Sequence, residues 1–306
     1  MSTPSYDVVI IGGSAAGLTT ALTLGRSRRS VLVIDAGEPR NAPAAGVHNV
    51  LTRDGAPPAA LLDLGRAEVA SYGVVLVAGR VTDVGGARGE FVVTWDGGTA
   101  TAARIVVATG VEDLLPDLPG IREGWGRTVL HCPYCHGWEV RDEAVGVLAL
   151  SPLAGHQAML FSQLTADLVL FRNGQEIDTA LVEALGVRVV DGTVLGFEDG
   201  VVRLSDGTAV ARDALALGAQ TRARVPAGLG LELTELAMSG TTIGWYVASD
   251  PMTRQTAVPG VYVAGNAGDL RGSVASAIAD GTVVAGQVNA DLVLAKAERL
   301  RSERQT

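Results

Sequence analysis

Cysteine, histidine and aromatic residues are scarce in this 306-residue chain: two cysteines, four histidines and 4% aromatics. With only Cys132 and Cys135, no framework of stapling disulfides is available. Base is outweighed by acid, and a formal net charge of −9 excludes a general nucleic-acid binder, which needs a basic surface. No apolar run is long enough to cross a membrane, because residues 8–25 are broken by Gly12, Gly13 and Gly17. Residues 1–7 hold no basic side chain, so the chain does not open like a secretory leader and is expected to be cytoplasmic. In that compartment a lone Cys-x-x-Cys pair is catalytic rather than structural.

What is present suits an α/β protein of two domains. Hydrophobic residues reach 47%, and 39 glycines supply many tight turns. Residues 6–11 read as a strand, residues 18–28 as a helix and residues 31–35 as a second strand. The turn between them, Gly12-Gly13-Ser14-Ala15-Ala16-Gly17, carries most of a dinucleotide fingerprint, with Ser14 where the middle glycine would stand. Gly12, Gly13, Ser14, Ala16 and Gly17 are therefore candidates for cradling a pyrophosphate, and Asp35 for accepting hydrogen bonds from a ribose. Two later strands end in small or polar residues: 104–110, closing on Ala108, Thr109 and Gly110, and 256–266, closing on Gly265 and Asn266. A long helix is expected over 273–294, with a charged, frayed tail from 296 to 306.

A second α/β unit lies between them. Strands are expected at 144–150, 167–171, 187–190 and 201–204, with a helix at 153–164 that carries His156 on its surface. The simplest layout inserts this unit into the first: 1–113, an insertion over 114–241, and a return over 242–306.

The cysteines stand in His131-Cys132-Pro133-Tyr134-Cys135-His136. Such a pair opens and closes a small disulfide, a two-electron unit, and the dinucleotide turn supplies a site for an electron store. Zinc is disfavoured, because six contiguous residues can hardly wrap four donors around a tetrahedral ion and structural sites pair two separated ligand clusters. A neighbouring imidazole, of His131 or of His136, takes the thiol proton or stabilises the thiolate; the alternative for each is packing.

In the order of these segments, over nearly the whole length, the chain resembles the low-molecular-weight thioredoxin reductases. The resemblance implies a two-domain pyridine nucleotide-disulfide oxidoreductase fold, an FAD-binding Rossmann-like domain interrupted by a second α/β domain. It also implies FAD in the first domain, NADPH in the second, and assembly as a homodimer. It assigns Cys135 to the flavin and Cys132 to the substrate, and it places Asn49 in a loop crossing the flavin. Trp138 is expected to pack in the core.

Three departures bear on activity. Where the family has its second Gly-x-Gly-x-x-Ala turn, this chain has Ala149-Leu150-Ser151-Pro152-Leu153-Ala154, and one basic residue, Arg172, remains for a 2′-phosphate. Pro152 also removes an amide donor, so NADPH binding is doubtful. His136 replaces the aspartate that follows the second cysteine. The stretch 131–137 is thereby similar to the flavin-dependent dithiol oxidases of holomycin and gliotoxin type, whose flavin is reoxidised by oxygen. Finally, Gly265-Asn266 stands for Gly-Asp and Gly272-Ser273 for Arg-Gln, with Asp269 as a candidate replacement acid. The expected activity is oxidation of a small-molecule dithiol to a disulfide, with oxygen reduced to hydrogen peroxide. The alternatives are an NADPH-fed disulfide reductase and a flavin-loaded redox sensor.

Overall fold

Val8, Val9, Ile10 and Ile11 are all buried, but they alternate between two separate cores. A strand apolar on both faces belongs in the middle of a covered, largely parallel sheet, and that is where the computed structural model, which describes residues 3–305, places it. The strand Ser5–Ile11 lies between Val31–Asp35 and Gly98–Val107, parallel to both. Val75–Ala78 and Val261–Val263 extend the parallel part, and Phe91–Trp95 and Val81–Gly85 add an antiparallel edge.

One face is covered by the helix Ala15–Arg26 and the C-terminal helix Val274–Glu303, through Ala21, Leu24, Val284 and Val288. The first of these begins earlier than expected because Ala15, Ala16 and Gly17 are small enough to form its opening turn. The last runs on through the expected frayed tail, where Arg299 pairs with Glu303 one turn away at 2.8 Å. Thr306, the end of that tail, lies outside the described residues, as do Met1 and Ser2.

The second face packs on a sheet of Val111–Leu114, Gln220–Ala223, Thr241–Val247 and Leu233–Met238. Gln220–Ala223 pairs antiparallel with Val111–Leu114, so the outgoing and returning chains run side by side. The chain thus rejoins the first core before residue 241, at a short strand that carries little sequence signal. Between these crossings sits the second domain. Its parallel sheet has the order Arg188–Val190, Leu168–Phe171, Val145–Leu148, Ala214–Leu217, Val129–Leu130, flanked by the helix Ala154–Phe161. A three-stranded sheet of residues 194–211 covers its other side. The cysteine motif follows Val129–Leu130, at the carboxyl end of that parallel sheet, where α/β proteins place their chemistry.

Candidate active site

The chain leaves Ser5–Ile11 through Gly12, whose φ of +108° suits only glycine, and a Cβ there would stand 2.3 Å from the Ala108 carbonyl oxygen. Ser14 then starts the helix in extended backbone without using its side chain as a cap, which leaves the first amides of the helix to a ligand. Gly12, Gly13, Ser14 and Ala16 line a cavity of about 830 Å³. Asp35, Asn49, Ala108, Thr109, Gly110 and Asn266 line it as well.

Gly17 and Gly265, expected at the cofactor, do not line the cavity. A Cβ on Gly17 would fall 1.9 Å from the Gly12 oxygen, and one on Gly265 would fall 2.7 Å from the Ala16 Cβ. Their small size serves backbone packing behind the turn. Asp269 pairs with Arg271 at 3.3 Å. Asn266 donates to the Asp269 and Gly272 carbonyls at 2.9 and 2.8 Å, pinning the loop before the C-terminal helix. Asp35 reaches the Gly37 amide at 3.2 Å and Arg66 at 3.3 Å.

Both cysteines open into the same cavity. Cys132 precedes the short helix Pro133–His136, and Pro133 fits there because the first helical residue needs no amide bond. The cysteines are free thiols. The Cys135 thiol donates to the Cys132 sulfur, and the amides of Cys135 and Tyr134 point at it as well, so Cys132 is pushed down to about 7 against the cost of burial. Cys135 is pushed up, first by donating to Cys132 and then by burial. The pair therefore carries its negative charge on Cys132.

The two histidines differ. His131 Nδ1 lies 3.3 Å from the Leu217 carbonyl, which can only accept, so Nδ1 carries the proton and Nε2 keeps a lone pair. Burial lowers its basicity most, followed by the Arg40 charge. Gln157 holds the His131 carbonyl at 2.7 Å. His136 has two buried ring nitrogens, neither with a partner, and burial is the main cause of its lowered basicity. Such an orphaned pair fits a site that a polar group of a cofactor or substrate completes.

The motif is also tied to the first domain. Asn49 Nδ2 donates to the Tyr134 carbonyl at 2.6 Å, and His48 Nε2 lies 3.3 Å from Glu139. Arg40 forms a bidentate pair with Asp113 at 2.5 and 3.0 Å in the wall beside them. Sequence reading missed Arg40, Asp113 and Gln157, which only tertiary folding brings to the motif. Trp138 is 67% exposed with Arg141 stacked at 4.2 Å, contrary to the expected core role; its ring lies just past the motif helix and turns outward.

In the second domain the start of the turn after Val145–Leu148 is tied to neighbouring strands and loops. The Ala149 amide donates to Phe171, while Asn173 donates to the Ala149 carbonyl at 3.3 Å and accepts from the Val194 amide at 2.9 Å. Arg172 is paired with Asp191 at 3.3 Å.

A family model described as pyridine nucleotide-disulphide oxidoreductase matches residues 6–150. Thioredoxin reductase tcpT of Claviceps purpurea is 34% identical over 96% of this chain and 97% of its own. Thioredoxin reductase aclD of Aspergillus oryzae is 32% identical over 93% of this chain and 96% of its own. Among solved structures, an oxidoreductase from Agrobacterium tumefaciens superposes with a TM-score of 0.89 at 38% identity, over 95% of this chain and 99% of its own. HlmI superposes with a TM-score of 0.86 at 40% identity, over 99% of this chain and 98% of its own. The fingerprint turn, the inserted domain and the dithiol facing it now have one reading: the chain belongs to the pyridine nucleotide-disulphide oxidoreductase family, among its thioredoxin-reductase-like members.

Proposed function

We propose that this oxidoreductase closes a disulfide in a small dithiol, with oxygen as the final acceptor and hydrogen peroxide as the second product. The observation that carries the reading is a contrast between the two domains. The first keeps an open glycine turn facing the dithiol, while in the second the corresponding turn holds Pro152 in place of an amide donor, the Ala149 carbonyl at its start is engaged by Asn173, and the remaining arginine is tied to Asp191.

The residues fit FAD. The Gly12–Ala16 turn and the helix amides behind it would hold the pyrophosphate, Asp35 the adenosine ribose, and Asn266 the ribityl side of the cavity. FAD, when bound, supplies two-electron transfer from a thiol pair to oxygen.

The protein's own steps begin with a substrate thiolate attacking Cys132 of the closed Cys132–Cys135 disulfide. A substrate–Cys132 bond forms and Cys135 leaves with the electron pair. The second substrate thiol then closes the substrate disulfide and releases Cys132 as thiolate, for which its low proton affinity makes it a good leaving group. The substrate has lost two electrons and two protons, and oxygen gains both. His131 or His136, each held neutral by burial, would take the thiol protons.

The second reading is a disulfide reductase, which the names of the curated relatives favour. Anaerobic titration of the bound flavin separates the two. Bleaching by a small dithiol and a stoichiometric yield of peroxide on admitting oxygen support the oxidase; prompt bleaching by NADPH supports the reductase. A sensor would show neither repeated turnover.

A further inference from the structure

Asp280 is a largely buried carboxylate that no step above uses. It stands on the C-terminal helix Val274–Glu303, with its side chain 14% exposed. Close packing puts it there. A Cβ on the next residue, Gly281, would fall 2.5 Å from the Ala16 carbonyl oxygen, and the buried Thr20 donates to the Gly281 carbonyl at 3.2 Å. Asp280 Oδ2 accepts the Gly265 amide at 2.8 Å. Gly265, at φ +68°, starts the short 3-10 turn Gly265–Ala267, which sets Asn266 in the cavity wall. Arg254 Nη2 stands 2.6 Å from the other oxygen, Oδ1, as a charge contact without the alignment of a hydrogen bond. Arg254 has a left-handed backbone, φ +60°, where glycine is the less strained residue. Its amide donates to the Asp250 carbonyl at 2.8 Å and its carbonyl accepts from Val263 at 3.1 Å. Glycine would make both bonds, so the backbone does not account for an arginine at this position; the charge facing Asp280 does.

We infer that Asp280, neutralised by Arg254, is a positioning residue that fixes the Gly265–Asn266 turn and through it the hold on the flavin. This deepens the proposed function, and it rests on reading the cavity as the flavin site but not on the direction of electron flow.

The physical argument has two parts. An amide donating to a carboxylate makes a stronger bond than one donating to a neutral oxygen, so Asp280 fixes the start of the turn more firmly than a carbonyl would. Ala16, which lines the cavity, is the neighbour that crowds both Gly265 and Gly281, so the carboxylate lies directly behind the site for an anionic pyrophosphate. An unpaired negative charge there would be costly to bury and would repel the cofactor. Arg254 removes that charge and leaves the acceptor in place. Asn266 uses its Nδ2 on the Asp269 and Gly272 carbonyls, so the turn anchored by Asp280 determines where its Oδ1 stands.

The test is the rate of flavin release from the purified holoenzyme after dilution, read by flavin fluorescence below the unfolding temperature. Asp280→Ala is expected to speed release about tenfold. Asp280→Asn keeps an oxygen for the Gly265 amide and is expected to stay within about threefold of the wild type. Arg254→Ala is expected to speed release about threefold to tenfold, while Arg254→Lys keeps the charge and stays within about twofold. Acting through the turn also predicts coupling: in an Asn266→Ala background, Asp280→Ala is expected to add less than about twofold. Wild-type release from Asp280→Ala overturns the inference. So does a full tenfold increase in the Asn266→Ala background, because that result assigns the effect to helix packing. If Asp280→Ala does not fold, Arg254→Ala read against Arg254→Lys decides, and equal rates for those two overturn the inference. A wild-type protein that carries no flavin would sink the reading of the cavity and this inference with it. A flavin-loaded wild type that fails to oxidise dithiols would sink only the oxidase, since release needs neither oxygen nor thiol.

Discussion

Asn49 and Tyr134 are 85 positions apart, yet the Asn49 side-chain amide donates to the Tyr134 carbonyl across the domain junction at 2.6 Å. Beside it, His48 faces Glu139 at 3.3 Å. Together they hold the motif helix against the cavity from the first domain. Asn49→Ala removes a net contribution of about 1 kcal/mol. The expected outcomes are faster amide hydrogen exchange over residues 132–139 and a several-fold loss of dithiol turnover, with no change over residues 5–35. Unchanged exchange in the motif would show that the contact is dispensable.

Asp35 ends the second strand of the first sheet and lines the cavity. That position suits the ribose of an adenosine, which FMN lacks. Flavin released by heat from the purified protein is expected to run as FAD in chromatography. Asp35→Ala is expected to lower flavin occupancy, read from the ratio of visible to ultraviolet absorbance. Recovery of FMN would overturn the assignment of the turn.

The local elements were legible because their signals are local. Val31–Asp35 was read to the residue, since a five-residue aliphatic run ending in an acid has few other uses. The strand Val201–Leu204 was also read to the residue, between two Asp-Gly turns. The dithiol and the fingerprint turn were legible because their chemistry requires fixed spacings. Arg40 and Asp113 were not, because a pair 73 positions apart leaves no periodic trace. Gly17 and Gly265 illustrate a related point, since the Gly12 carbonyl oxygen and the Ala16 Cβ occupy the space a Cβ at each would need. A glycine that cradles phosphate and one that lets two backbones touch look alike until the second backbone is seen.

The second domain makes a distinct prediction. Pro152 offers no amide, Asn173 links Ala149 at the start of the turn to Val194, and Arg172 is engaged with Asp191. NADPH is expected to leave the flavin oxidised under anaerobic conditions at micromolar concentrations, while a small dithiol bleaches it. Prompt bleaching by micromolar NADPH would restore the reductase reading.

Assembly is testable from the C-terminal helix, where Val283, Val293 and Leu294 are each about half exposed. Apolar side chains in that number on one long helix suit burial against a second copy. Light scattering is expected to give twice the 31.4 kDa chain mass. A monomer mass would exclude the homodimer.

The two cysteines are expected to fail in different ways. Cys132→Ser leaves the flavin-side sulfur in place, so a broad long-wavelength charge-transfer band is expected while dithiol turnover is lost. Cys135→Ala removes the thiol that does most to lower Cys132. That variant is expected to lack the band, and to trap substrate as a mixed disulfide on Cys132 when an oxidant is supplied. Its Cys132 alkylation midpoint is expected to rise from about 7 toward the ordinary thiol range. Cys135→Ser, whose hydroxyl still donates, should recover part of that shift. The sign in the wild type follows directly: below pH 7 Cys132 is protonated and alkylation slows, above it the thiolate dominates and the rate levels off. His136→Ala is expected to slow thiol oxidation most on the acidic side, where a base must generate the thiolate. A larger loss in His131→Ala would place the base on the carbonyl-anchored imidazole instead. If both cysteine variants oxidise a dithiol at the wild-type rate, electrons do not pass through the pair at all, and the mechanism fails at its first step.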